Sequence, residues 1–313
     1  MQGTLFKYGP GSAHVAFKSP ATAQHPRCSG QLHLVLVGGL TDGLLFAPYR
    51  EQLAAAAGGL GWSLVQAQLT SSYQGWGLST LDQDASELRL LAQCLAEQHE
   101  CSAWVLMGHS TGCQDAVRYV QRYRSDNSKL AGVILQAPVS DREYLSMYPS
   151  WGQQLQQAQA MAADGRADDV LCRVREWDSA ALTARRFLSL YCAGGDDDMF
   201  STDLTLQQLQ GIFGPLHGLP CCIIQSAADE AVPQELRDNG SMQQLGQRML
   251  QAISLGAESQ PETAAAAAAA AGGGAAVVPQ LHVVEGTGHA CAGHEGELVN
   301  IVCEFLRQLP VEQ

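Results

Sequence analysis

The sequence predicts an α/β fold, a mainly parallel sheet with helices on both faces and a helical insertion over one sheet edge. Apolar runs of strand length, QLHLVLV at Gln31–Val37 and LAGVILQA at 130–137 among them, alternate with segments of helical periodicity. Short Gly-rich turns join them, the pattern of strands buried on both faces. The alternation stops between residues 140 and 218, which are rich in Gln, Ala, Asp and Arg. Their apolar content is too thin for a separate core, so 140–218 reads as a helical cap insertion within a single domain spanning 1–313.

Taken in order, residues 4–8 and 14–17 flank a Gly-Pro-Gly-Ser turn and read as an opening hairpin. A polar connector leads to the strand Gln31–Val37, which ends in Gly38-Gly39-Leu40-Thr41-Asp42-Gly43. A helix is expected over 45–57 and a buried strand over 62–69, followed by a polar loop at 71–77. Leu81, Leu88, Leu91 and Leu95 recur at helical spacing in a segment reaching about His99. The apolar run ending at Met107, the helix continuing over 115–123 and the strand at 130–137 follow. After the insertion come a strand at 220–225, a helix over 235–254, a strand at 280–284 and a closing helix over 296–309. Residues 256–278 hold an Ala run and three consecutive glycines, a low-complexity surface loop.

Composition narrows the function classes. With 46% hydrophobic and 16% charged residues the chain has material for a sizeable core. A net charge of −13 and a pI near 5.0, with no local Lys/Arg cluster, argue against nucleic acid or an anionic membrane as partner. No segment has the ~18 apolar residues of a membrane span, and the N-terminal stretch lacks a signal-peptide core. Ten cysteines lie scattered without zinc-type spacing, and the adjacent Cys221 and Cys222 read as small buried hydrophobes. These features predict a reduced, cytoplasmic protein without metal or cofactor.

The chemistry is expected at Gly108-His109-Ser110-Thr111-Gly112, a G-x-S-x-G turn between an apolar strand and a helix. Such an elbow strains a serine into the open at the sheet edge, above the positive N-terminus of the next helix. With 32 glycines in the chain, random order would give the pattern about 0.2 times, so the pentapeptide alone is weak. A serine hydroxyl needs a positioned base. Asp229 stands in the loop after the 220–225 strand, and His289 in the loop after the 280–284 strand. Ser110, Asp229 and His289 thus occur in the chain order Ser, acid, His, each at a strand end, with Ser110 as nucleophile, His289 as base and Asp229 as its orienter. Glu230 and His294 are the weaker rivals. His109 is read as packed support and Cys113 as a small residue at the helix start. Backbone N–H groups must meet the developing oxyanion; Thr111 supplies one, and Leu40 or, less directly, Gly39 the other.

Five stretches carry a resemblance: GGLTDGLL (38–45), LMGHSTGCQD (106–115), LQAPVSDREY (135–144), GDDDMFSTDL (195–204) and SAADEAVP (226–233). In these the sequence resembles a little-characterised family of fungal, plant and algal α/β-hydrolases that includes fungal hydrolases of siderophore esters. The resemblance implies the α/β-hydrolase fold, ester hydrolysis and the triad roles of Ser110, Asp229 and His289; it does not transfer a siderophore substrate. Two of these stretches have no triad role. Arg142 follows a strand end and is expected to pair either with a substrate carboxylate or with an acidic neighbour in the cap. Asp196-Asp197-Asp198 with Asp203 lacks the Gly and terminal Glu of a calcium loop and reads as a solvated or helix-capping acidic turn.

The expected function is therefore hydrolysis of a small-molecule carboxylic ester through an acyl-enzyme. Two alternatives share the fold: a receptor with negligible turnover, and a hydrolase of a thioester, amide or C–C bond.

Overall fold

The computed structural model describes residues 1–24, 26, 30–126, 129–148, 151–174, 179–256 and 278–311. The opening hairpin is β1 (Thr4–Lys7) and β2 (Val15–Ser19), its turn closed by the Gly11 N–H donating to His14 Nδ1 at 3.1 Å. Then come β3 (Gln31–Val37), α1 (Arg50–Gly59), β4 (Trp62–Gln68), α2 (Leu81–Gln98), β5 (Cys101–His109), α3 (Gly112–Tyr123) and β6 (Leu130–Gln136). Between β6 and the next sheet strand lie α4 (Asp141–Ser146), α5 (Gly152–Ala163), β7 (Val170–Val174), β8 (Ala180–Thr183), α6 (Ala184–Tyr191) and α7 (Leu206–Phe213). The chain ends with β9 (Cys221–Ser226), α8 (Gln234–Asp238), α9 (Ser241–Leu255), β10 (Gln280–Val284) and α10 (Glu295–Gln308).

Eight strands form one sheet in the order β1-β2-β4-β3-β5-β6-β9-β10. The hairpin joins antiparallel at one edge, and every pairing from β4 to β10 is parallel. Alternation along each central strand sends side chains to two separate cores. Val35 and Val37 of β3 meet leucines of α2 and the apolar face of α3, whereas Leu32, Leu34 and Leu36 meet Leu53 of α1 and Val302 and Phe305 of α10. In β5, Trp104 and Leu106 face the first layer, and Val105 and Met107 the second. The parallel strands thus deliver all their C-terminal ends, and the loops that follow, to one edge. No helix among the described residues is long and apolar enough to cross a membrane.

Two helix expectations shift for local reasons. The helix expected over 45–57 starts at Arg50, because Leu45 lies at φ 67° and Pro48 keeps its preceding residue out of the helical region. The single helix expected over 235–254 is broken into α8 and α9 by Gly240 in a left-handed conformation at φ 76°. Residues 257–277 of the low-complexity loop lie outside the described residues.

The region 140–218 divides in two. The segment from α4 to α6 includes an antiparallel hairpin of β7 and β8, which the sequence did not suggest. It has its own apolar cluster, with Phe187, Leu190, Leu182 and Met161 gathered around Trp76. By contrast Met199, Phe200, Leu204, Leu209 and Phe213 belong to the main core beneath α2 and α3. The Asp196-Asp197-Asp198 turn joins the two parts, and it is neither a solvated turn nor a helix cap. Fully buried Asp197 pairs with the equally buried Arg186 at 2.6 Å and accepts from Ser189 Oγ at 2.6 Å, while Arg186 Nε donates to the Trp76 carbonyl. Asp198 binds Ser201, the Gly194 N–H and Arg142. Only Asp196 is exposed, against Arg118.

Arg186 is the buried cation that Asp84, Asp115 and Asp141 also face. Burial pushes the Asp84 carboxyl up to about 7 and that of Asp141 to about 8, partly offset by the nearby guanidinium. Removing it leaves fully buried Asp197 without its ion-pair partner and three further acidic side chains without their nearby cation. Arg186→Met is expected to cost about 3–5 kcal/mol in urea unfolding, only part of it regained in the Arg186→Met/Asp197→Leu double variant, because Asp84, Asp115 and Asp141 still lack their cation.

Candidate active site

β5 ends against α3 in a turn that three backbone segments crowd. A Cβ on Gly108 would lie 2.1 Å from the Gly112 carbonyl oxygen, and one on Gly112 would lie 2.6 Å from that of Val37 in β3. Larger residues at either flank would drive the helix off the sheet. Between them Ser110 adopts φ 54°, a left-handed conformation that a non-glycine residue keeps only when its surroundings enforce it. Its N–H donates to the Gln136 carbonyl on β6 at 3.0 Å, and its own carbonyl accepts from Cys113 N–H at 2.8 Å. The side chain of Ser110 is half-buried at the sheet's C-terminal edge, and Thr111 stands at the start of α3.

Asp229 and His289 come from the loops after β9 and β10, two adjacent parallel strands, so the topology brings them side by side. His289 Nδ1 lies 2.8 Å from Asp229 Oδ2, and Asp229 Oδ1 accepts the Ala231 N–H at 2.9 Å. Asp229 is 2% exposed, a shielded carboxylate aimed at one ring nitrogen. Burial alone would lower the His289 imidazole; the Asp229 hydrogen bond, then the charges of Asp229, Glu230 and Asp42, outweigh it and hold the group above its usual value. The ring of His109, next to Ser110 in the chain, lies 4.9 Å from that of His289. Burial, then the neighbouring His289, pushes His109 down to about 3, so it stays neutral.

Three residues that sequence reasoning missed or ranked low complete the arrangement. Gln136, fully buried at the end of β6, accepts from His109 Nδ1 at 2.5 Å and from Tyr49 Oη at 3.1 Å, and its amide donates to the His289 carbonyl at 3.3 Å. A glutamine inside an apolar strand run was its signal. Glu230 accepts the His289 backbone N–H at 2.8 Å. It is a support for the histidine rather than a rival to Asp229. Asp42 accepts the Gly39 N–H at 2.8 Å, which commits that amide and corrects its assignment as an oxyanion donor. Leu40 packs its side chain on the apolar cluster of the α4–α6 segment.

The other candidates have partners of their own. His294 is partly exposed at the start of α10, 3.8 Å from Glu297. Cys113 is buried against the Gly108 and Gln136 carbonyls, and burial raises its thiol well above the ordinary range. Arg142 takes the second of its two expected partners. Its guanidinium is engaged by Asp198 at 3.2 Å and by both oxygens of Asp203. Beside Gly39, Leu40 and Thr111 lies a cavity of about 20 Å³, floored by Asp84, Asp115 and Arg186, room for about one water. A larger cavity of about 320 Å³, against Trp62 and Leu306, sits by the N-terminal end of β4, away from Ser110.

A family described as a protein of unknown function, DUF1749, matches residues 1–262. The chain belongs to the DUF1749 family. A curated relative similar to it, the UPF0613 protein PB24D3.06c of Schizosaccharomyces pombe, is 35% identical over 194 residues, 58% of this chain and 61% of that protein. The chain thus spans about three fifths of that relative. Fusarinine C esterase sidJ of Aspergillus fumigatus is 35% identical over 255 residues, 64% of this chain and 71% of sidJ. Among solved structures, siderophore hydrolase EstB from Aspergillus fumigatus superposes with a TM-score of 0.73 at 28% identity, covering 98% of this chain and 97% of EstB. This DUF1749 chain has the α/β-hydrolase fold.

The Gln136 side chain binds partners from three other segments, and its loss strands buried polar groups. Gln136→Leu is expected to lower stability by about 1–3 kcal/mol in chemical denaturation.

Proposed function

We propose that this chain is a serine hydrolase that cleaves a carboxylic ester of a small molecule through an acyl-enzyme. The observation that carries the reading is the 2.8 Å bond between His289 Nδ1 and buried Asp229, at the sheet edge that also presents the left-handed Ser110. The names of relatives, an esterase and a siderophore hydrolase, support ester chemistry.

On this reading Ser110 Oγ attacks the ester carbonyl while its proton passes to His289 Nε2. Asp229 holds the opposite ring nitrogen, fixing the tautomer and stabilising the imidazolium. Charge on the carbonyl oxygen is met by the backbone N–H groups of Leu40 and Thr111. Collapse expels the alcohol, which takes the proton from His289, and water then releases the acid by the same sequence. Neutral His109 adds no competing charge beside the imidazolium. The segment from α4 to α6 acts as the cap, with Leu40 as its contact with the oxyanion loop; α7 belongs to the body.

Hydrolysis of a panel of p-nitrophenyl esters of increasing acyl length tests the reading. Ser110→Ala is expected to reduce kcat by about 10⁴-fold or more on every ester that the wild type cleaves. Because the base must be neutral and its pKa is raised, activity should rise with pH through a limb above the ordinary histidine value of about 6.5. Unchanged turnover in Ser110→Ala would refute the assignment.

A further inference from the structure

The neighbouring carboxylates of Asp229 and Glu230 both reach the same histidine, one at the ring and one at the backbone. Both backbone polar atoms of His289 end on side chains: the N–H on Glu230 Oε2 at 2.8 Å and the carbonyl on the Gln136 amide at 3.3 Å. The surrounding loop has no regular structure to hold it there. It reverses through left-handed conformations at Gly286, Cys291 and Gly293. Its other anchors include the Ala228 N–H to the Thr287 carbonyl, the Cys291 N–H to the Gly288 carbonyl, the His294 N–H to the Cys291 carbonyl, and the Cys291 thiol, 3.6 Å from both Gln136 Nε2 and Ser226 Oγ. Glu230 approaches so closely that a Cβ on Gly288 would lie 2.6 Å from its Oε2. That glycine before the histidine is the clearance for the carboxylate.

We propose that Glu230 is a positioning residue for His289, clamping the backbone amide so that the imidazole stays in line between Asp229 and Ser110. The inference rests on the reading of His289 as the general base. Two effects follow from one bond. The first is geometric, since without the clamp the loop carrying His289 loses its N–H anchor and the ring its fixed reach. The second is electrostatic and smaller, because Glu230 is exposed and solvent screens it. The groups facing His289 are Asp229 and Glu230 after β9, Asp42 after β3, His109 at the end of β5 and Asp141 at the start of α4. Glu230 contributes one of three charges that favour the imidazolium. Burial would raise its own carboxyl, but the His289 N–H and further hydrogen bonding and charge hold it below its usual value, so it is ionised wherever the base works.

Glu230→Ala and Glu230→Gln separate the two effects, with kcat and KM for a p-nitrophenyl ester followed against pH. Glu230→Ala is expected to lower kcat about 10- to 100-fold with KM within twofold. Glu230→Gln, which still accepts the N–H, should recover most of kcat while moving the acid limb to lower pH. Wild-type kcat in Glu230→Ala, or no recovery in Glu230→Gln, overturns the proposal. NMR titration of the His289 ring is independent of turnover and should show a lower pKa in both variants; an unmoved value also overturns it. Failure of the wild type itself to cleave any ester strikes instead at the hydrolase reading, and the titration still reads the Glu230 charge at His289.

Discussion

The site depends on close backbone packing between β3, β5 and the first turn of α3. Ser110 keeps φ 54° only because Gly108 and Gly112 let the helix start sit against the strand carbonyls, with approaches that leave no room for a Cβ. A Cβ on Gly39, too, would lie 2.7 Å from that of Ser110. The strain of the elbow, of order 1–3 kcal/mol, is borne by the apolar layers on both faces of the sheet and by the Ser110 N–H bond to β6. Loosening these contacts would let the serine relax into ordinary backbone and turn its hydroxyl away from the edge.

The histidine side of the site follows different physics. Ser110 is fixed by strands, whereas His289 hangs on a loop and is fixed by side chains. Buried Asp229 holds the ring, Glu230 the backbone N–H, and Gln136 the backbone carbonyl. Gln136 joins the two sides: its carbonyl receives the Ser110 N–H, and its side chain reaches His109, Tyr49 and His289. A displacement at the end of β6 is thereby felt at both the serine and the histidine.

The fold was legible because buried parallel strands write themselves as apolar runs, and the order of Ser110, Asp229 and His289 was legible because each lies at a strand end. Local backbone detail was less so. Gly240 and Pro48 are the residues that moved helix boundaries, yet glycine and proline also occur where nothing breaks. The roles of Arg142 and the Asp196-Asp197-Asp198 turn were hidden for another reason. Arg142, Asp198 and Asp203, like Arg186 and Asp197, meet through tertiary packing, and a charge in sequence carries no sign of whether it will be buried with a partner. Glu230 was visible only as a competitor to its neighbour, because a carboxylate that grips a backbone amide 59 residues away leaves no local pattern.

The most direct measurement of the central claim is mass-spectrometric mapping of the adduct formed with a fluorophosphonate. One adduct per chain is expected, on Ser110, forming much more slowly in His289→Ala. An adduct on any other residue, or none on the folded wild-type protein, would contradict it.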